Sequence, residues 1–147
     1  MKYIFQVRGV PLPNVEPYVS FFDRSGQRRA KPVVFKNADV QAWQASVVLQ
    51  VRTQRPNGFK ILDCPLKATW NFRLPMSQRV ERAAKRGYPE CHVVKPDTDN
   101  LAKPVKDALE GLIYTNDSRI CNEIIVKSYA FDGDVGVTIT IESEDAK

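Results

Sequence analysis

Cysteine, histidine and long apolar runs are scarce in this sequence, and their scarcity narrows the classes of protein it can encode. The 147 residues include 3 Cys, an odd number at wide spacing, and 1 His. No C-x-x-C or H-x-x-x-H spacing is present, which argues against a disulfide scaffold and against a zinc site. The apolar runs fall far short of the ~20 residues that span a bilayer. We therefore expect no membrane-spanning helix.

The rest of the composition is that of one globular domain. The opening residues, MKYIFQVRGVPLP, lack the apolar stretch of a secretory signal, so we expect a cytoplasmic protein. Apolar residues make up 43% of the chain and aromatic residues 10%, which is enough to build a core. A chain of this length buries about two thirds of its unfolded surface. We predict a single domain over residues 1–147.

Charge is divided unevenly along the chain. Residues 1–96 contain 17 Lys and Arg against 6 Asp and Glu, whereas residues 97–147 contain 5 against 11. The basic part would attract a polyanion that the acidic part repels, unless the carboxylates hold cations. This division is typical of a metal-dependent nuclease, although solvated surface would account for it equally well.

Hydrophobic periodicity and turn residues predict an α+β fold. The order of the elements is β-α-β-α-β-β, with a small mixed or antiparallel sheet packed against two helices. Asp132-Gly133-Asp134 has the composition of a hairpin turn between the last two strands. The predicted elements are strand 2–8, helix 38–53, strand 66–74, helix 99–112 and strands 120–131 and 135–141.

Two basic segments lie outside these elements. Residues 11–37 contain four prolines and predict an irregular, mobile loop. Residues 76–88 have few apolar positions and predict a short exposed helix or a flexible arm. Either segment is solvated surface or a contact for DNA phosphates. The cations assigned to DNA contact are Arg28, Arg29, Lys31, Arg79, Arg82, Lys85 and Arg86, together with Lys95 further along the chain.

The densest chemical signal is the run from Lys95 to Lys103, which enters the second helix. Pro96 disfavours a helical Lys95, and in an extended stretch Asp97 and Asp99 point the same way. Lys103 lies one helical turn after Asp99, on the same face. Asp117, after the helix, supplies a third carboxylate. Hard oxygen ligands of this kind suit Mg²⁺, with Mn²⁺ as a substitute, but aspartates at a helix start are also ordinary caps.

The run PDTDNLAKPVKDALEGLIYTNDSRI resembles the core motif of the RusA family of Holliday-junction resolvases. That motif is roughly D-x-D-N-L-x-K, then D-A-L-x-G, then an acidic pair before a strand, and the match covers about residues 95–127. The resemblance implies a small, homodimeric, magnesium-dependent endonuclease that cuts branched DNA in recombination and repair. It further implies that Asp97, Asp99 and Asp117 bind the metal and that Lys103 is the catalytic lysine.

Two positions depart from the family pattern. Asn116 replaces the first acid of the pair and offers only a neutral oxygen. Pro104 lies inside the predicted helix, where it removes one backbone hydrogen bond. His92, near the motif, is either an ordinary polar residue or a phosphate contact.

The predicted function is a structure-selective endodeoxyribonuclease that resolves four-way junctions by paired phosphodiester hydrolysis. Two alternatives remain open on the sequence. The first is a non-catalytic nucleic-acid-binding protein in which the aspartates only cap a helix. The second is a metal-dependent phosphohydrolase that acts on RNA or nucleotides.

Overall fold

The computed structural model describes residues 1–86, 91–131 and 133–144. Its elements confirm the predicted α+β class, with helices and a mixed sheet in one domain. In chain order they are β1 (Lys2–Arg8), β2 (Tyr18–Phe22), β3 (Arg28–Phe35), α1 (Ala38–Gln54), β4 (Leu66–Leu74), α2 (Gln78–Ala84), α3 (Thr98–Leu109), a 3-10 turn (Asp117–Arg119), β5 (Ile120–Tyr129) and β6 (Gly136–Ser143).

The main sheet has the strand order β1-β6-β4-β5. β6 pairs antiparallel with both β1 and β4, whereas β5 pairs parallel with β4. Every second residue of β4, from Leu66 to Leu74, is buried. These side chains meet apolar faces of α1 and α3, so the core lies between the sheet and the helices.

The predicted hairpin between the last two strands is wrong, because β4 lies between β5 and β6. A parallel β4–β5 pair needs a crossover connection, and the segment that contains α2 and α3 provides it. The residues after β5 then cross the end of β4. Ala130 donates its N–H to the Leu74 carbonyl at 2.7 Å, and the Arg73 guanidinium pairs with Asp134 at 3.2 Å. Asp132, part of the predicted turn, lies outside the described residues.

The predicted irregular loop over residues 11–37 is also wrong in part, because β2 and β3 form a two-stranded hairpin within it. The prolines misled the prediction. Pro11, Pro13 and Pro17 precede β2, and Pro32 lies in β3, which has one edge free in the two-stranded ribbon. The β-branched and aromatic residues between them pair as strands.

Helix α1 packs on the sheet and also closes its β1 edge. Asn37 caps the helix by accepting from two backbone N–H groups, and Trp43, Val47 and Val51 form its buried face. The side-chain amide of Gln54 donates to and accepts from the backbone of Gln6, at 2.7 and 2.8 Å, and Gln50 does the same for Arg8 at 2.8 Å. These bonds satisfy backbone groups that an edge strand would otherwise leave open.

Helix α3 begins at Thr98 and ends at Leu109, earlier than the predicted end at residue 112. Gly111, at φ 74°, turns the chain back, and Leu112, Ile113 and Tyr114 are buried beyond the helix. Pro104 leaves the Asn100 carbonyl without its usual helical donor. The backbone N–H of Asn14 fills that place at 2.7 Å.

The segment predicted to be either a short exposed helix or a flexible arm contains a short exposed helix, α2. Helix α2 is short, is capped by Ser77 and buries no side chain. Lys85 and Arg86 follow it and are exposed.

Candidate active site

A cavity of about 210 Å³ lies where the first half of α3 faces the start of β5. Helix α3 supplies one wall, and the 3-10 turn and β5 supply the other. Charged side chains dominate its lining, which consists of Asp99, Asn100, Ala102, Lys103, Lys106, Asp107, Asp117, Glu123 and Ile125.

Three of the four predicted catalytic residues, Asp99, Lys103 and Asp117, line this cavity together. Asp97 does not line it. Asp97 is the extended residue before α3, at φ −70° and ψ 154°, and its side chain makes no cap hydrogen bond. Asp99 already belongs to the first helical turn, so the premise that both aspartates lie in one extended run is wrong. The metal-binding role of Asp97 stays a prediction.

Lys103 forms an ion pair with Asp107 one turn further along α3. Its Nζ atom lies 3.3 Å from Asp107 Oδ2, and both side chains are partly exposed. Asp107 was not predicted to belong to the site, although a spacing of four residues from a lysine on one helix face indicates such a pair.

A second lysine–acid pair closes the β5 side of the cavity. Lys106 Nζ lies 3.2 Å from Glu123 Oε1, and that oxygen also accepts from Trp70 Nε1 at 2.8 Å. Trp70 is fully buried in β4 and is therefore a fixed donor. Glu123 was not predicted, because its register opposite Ala68 and beside Trp70 depends on the parallel pairing of β5 with β4.

Negative charge is concentrated around the end of α3. The buried Tyr114 hydroxyl donates to the Lys106 carbonyl at 2.8 Å. Burial raises the pKa of this hydroxyl far above its usual range, and the nearby carboxylates of Asp117, Asp107, Glu110 and Glu123 raise it further. A cluster of carboxylates that is not matched by equal positive charge favours the binding of a cation.

The turn that carries Asp117 is fixed by hydrogen bonds on both sides. Asn116 Oδ1 accepts from the Ser118 N–H at 2.9 Å, so this oxygen caps the 3-10 turn. The Asp117 N–H donates to Glu110 Oε2 at 3.4 Å. The carboxylate of Asp117 is left to face the cavity.

Asp63 anchors the same turn from outside the cavity. It accepts from the Thr115 hydroxyl and from Arg119 Nε, each at 2.7 Å. The Thr115 hydrogen bond, and then the Arg119 charge, hold the pKa of Asp63 below its usual range.

The donor set of the cavity fits magnesium. No three His, Cys, Asp or Glu side chains of the described residues are grouped closely enough to hold a metal by themselves. Mg²⁺ does not require such a group, because it keeps several waters and takes one or two carboxylates together with substrate phosphate oxygens. Asp99 and Asp117 are two carboxylates of this kind on facing walls of one cavity.

The segment that leads into Asp97 is held by β5. Lys127 donates to the Val94 carbonyl and, at 2.8 Å, to the Pro96 carbonyl. His92, just before it, is buried with its ring centroid 4.7 Å from that of Tyr129. Burial, and then the Lys127 charge, lower the pKa of His92. No pattern in the sequence indicated this role for Lys127.

The predicted DNA-contact cations lie on three separate segments of the surface. Arg28, Arg29 and Lys31 belong to β3, Arg79 and Arg82 to α2, and Lys95 precedes α3. Seven of the eight are exposed, and Arg29, which is half-buried, donates to the Phe22 carbonyl at 3.1 Å. None of the eight forms an ion pair with a carboxylate of the described residues.

An acidic cavity that also holds a lysine, on a protein whose surface carries exposed cations, is typical of metal-dependent phosphodiester hydrolases. The sequence model described as endodeoxyribonuclease RusA matches residues 14–142 of the chain. Because this match covers most of the chain, the protein belongs to the RusA family of endodeoxyribonucleases, which are hydrolases that act on DNA.

The chain is also similar to a protein of Bacillus subtilis (strain 168), the uncharacterized protein YqaN. The two are 29% identical over 140 residues, which are 92% of this chain and 93% of YqaN. Among the helices of the described residues, none combines the length and the apolar character needed to cross a membrane.

Proposed function

We propose that this protein is a magnesium-dependent resolvase of four-way DNA junctions, which acts as a homodimer in recombination and repair. One observation carries the proposal: Asp99 and Lys103, on one face of α3, and Asp117, in the 3-10 turn that follows, line one cavity. Membership of the endodeoxyribonuclease family supports the reaction class. Manganese is expected to replace magnesium, since it accepts the same oxygen ligands.

In this proposal Asp99 and Asp117 hold the metal, together with Asp97. The Asp97 carboxylate is exposed and makes no cap hydrogen bond, so no cap holds its side chain in one rotamer. When bound, the metal activates water and stabilises the charge of the phosphate.

Lys103 is the cation that contacts the scissile phosphate. Its pair with Asp107 is exposed to solvent and therefore weak, so the amine can exchange the carboxylate for a phosphate oxygen. Charge that develops on the phosphate in the transition state is then stabilised by the ammonium group.

A homodimer would provide one active site for each of the two strands that must be cut. A four-way junction has two strands to be nicked symmetrically, and a protein with two-fold symmetry presents two identical cavities to it. The exposed cations on β3, on α2 and before α3 would contact the phosphates of the arms.

The test is a nicking assay on a synthetic four-way junction, on a linear duplex of the same sequence and on single-stranded RNA. We expect paired nicks in the junction with Mg²⁺ and none with a chelator. Asp99→Asn should abolish the nicks. Asp39→Asn is the matched control, because Asp39 occupies the same second position of α1 that Asp99 occupies in α3.

The outcomes separate the alternatives. Junction binding without nicks under any metal condition would indicate a binding protein whose aspartates serve the helix start. Equal cutting of RNA and junction would indicate a general phosphohydrolase. Loss of nicking in both asparagine variants would show that the effect is one of helix stability.

A further inference from the structure

The β2–β3 hairpin, residues 18–35, exposes apolar side chains on both of its faces. Tyr18 pairs with Phe35 and Val19 pairs with Val34, so successive pairs point to opposite faces. Tyr18 is 68% exposed and Phe22 58%. No residue of the hairpin belongs to the core cluster of the described residues. A two-stranded ribbon with two uncovered apolar faces is only marginally stable alone, and exposed apolar patches of this kind are typical of surfaces that bind a partner molecule.

The charge of the hairpin indicates the chemistry of its partner. Residues 18–35 contain four cations and one acid. That acid, Asp23, accepts from Ser25 and from the Gln27 N–H, and the Ser25 hydroxyl contributes most to a pKa below its usual range. It therefore serves the turn. A partner must match both cations and aromatic rings, and a second copy of the hairpin would oppose four cations to four. A nucleic acid matches both.

The rings can stack only on bases whose faces are open. In a continuous duplex each base face is covered by its neighbours, whereas unpaired or unstacked bases offer their faces to aromatic side chains. A four-way junction has its open base faces at the branch point. We propose that the β2–β3 hairpin inserts at the branch point and stacks its exposed rings, above all Phe22, on the bases there. This inference rests on the proposed function.

The position of the hairpin relative to the cavity supports this inference. A groove of about 240 Å³ begins at Pro17 and Lys36, which flank the hairpin, and reaches Lys103 and Asp107 of the cavity. Just before the hairpin, the Asn14 N–H is bonded to the Asn100 carbonyl at 2.7 Å. A strand held at the hairpin would therefore follow the groove to Lys103.

The experiment uses junctions with 2-aminopurine either at the branch point or within one arm, bound in metal-free buffer. We expect wild-type protein to change the fluorescence of the branch-point probe only. Phe22→Leu keeps an apolar side chain but removes the ring, and should weaken junction binding about fivefold or more and abolish the signal. Phe22→Tyr keeps the ring and should retain both. Leu49→Ala, at a residue of α1 that is 63% exposed, is the control for lost apolar surface.

Three results would overturn the inference. The inference would be overturned if the wild-type complex left the fluorescence of the branch-point probe unchanged. Junction-selective nicking in the same preparation would then show that the proposed function still holds. A Phe22→Leu variant with wild-type binding and signal would do the same. A change of mass in sedimentation of Phe22→Leu would identify the hairpin as a contact between copies. Failure of the wild type to prefer a junction over a duplex would instead remove the proposed function, and this inference with it.

Discussion

Replacing Lys103 by alanine separates a catalytic role of its amine from a structural one. The Lys103 side chain is 57% exposed and that of its partner Asp107 43%, so the pair contributes no more than about 0.5 kcal/mol to stability. A donor that stabilises developing charge contributes about 100-fold or more to the rate, which corresponds to roughly 2.7–4 kcal/mol. We therefore expect Lys103→Ala to cut single-turnover junction cleavage about 100-fold with almost unchanged stability.

Two measurements accompany the rate. Calorimetric titration with Mg²⁺ should give nearly wild-type affinity, because the lysine holds substrate rather than metal. Lys103→Arg should recover only part of the rate, since the guanidinium spreads its charge over a planar group of different reach. Lys2→Ala is the matched control. Lys2 forms a similarly exposed pair with Glu142, at 3.2 Å, and does not line the cavity.

Wild-type cleavage by Lys103→Ala would refute the catalytic role. A large drop in its magnesium affinity would show that the lysine organises the metal site instead. Asp107→Asn removes the pair but keeps the amine, so it should change the rate less than tenfold. A loss as large as that of Lys103→Ala would mean that the pair, and not the amine alone, is what the reaction needs.

Further predictions concern the carboxylates, the cations, the sheet edge and pH. Asp117→Asn should abolish cleavage but leave junction binding intact or tighter, measured by gel shift in metal-free buffer; retained cleavage would remove it from the site. Gln54→Ala should lower the free energy of unfolding by about 1–2 kcal/mol in urea titrations, since two hydrogen bonds to β1 are lost. Burial lowers the pKa of His92, so the contribution of this residue to stability is complete above about pH 6.5 and is lost as the pH falls below that value. The free energy of unfolding should therefore drop less between pH 7.5 and pH 5.5 in His92→Gln than in the wild type. Neutralising the predicted DNA-contact cations should reduce the slope of the logarithm of the junction-binding constant against log salt concentration by about 0.9 for each lost phosphate contact. An unchanged slope would show that these residues are solvated surface. The two groups to compare are Arg28, Arg29 and Lys31, and Arg79, Arg82, Lys85 and Arg86.

Local sequence patterns predicted the individual elements better than their arrangement. The bounds of β1 and β4 were predicted without error, and α1 within one residue, because each pattern is set by side chains that face one core. The place of β4 between β5 and β6 depends on a crossover that no short stretch of sequence encodes. The β2–β3 hairpin was missed because the prolines before it and within it outweighed its two short runs of strand-forming residues.

The sequence motif predicted part of the lining of the candidate cavity. Asp99 and Lys103 share a helix face at a spacing of four, and Asp117 follows in the turn after it. The relation of Asp97 to Asp99 was misjudged because α3 begins at Thr98, one residue earlier than expected. Glu123 depends on the register of β5 against β4, which is a property of the folded sheet.

Pro104 couples two regions that are 86 positions apart in the chain. A residue with an N–H at this position would donate to the Asn100 carbonyl and compete with Asn14 for it, so a more regular helix would have a weaker long-range tether. The missing helical hydrogen bond at Pro104 thus allows the segment just before the β2–β3 hairpin to be tied to the first turn of α3, which carries Asp99. Pro104→Ala should therefore speed amide hydrogen exchange at Asn14 while it strengthens the helix, so that a substitution favourable to α3 by itself would loosen the joint between the two regions.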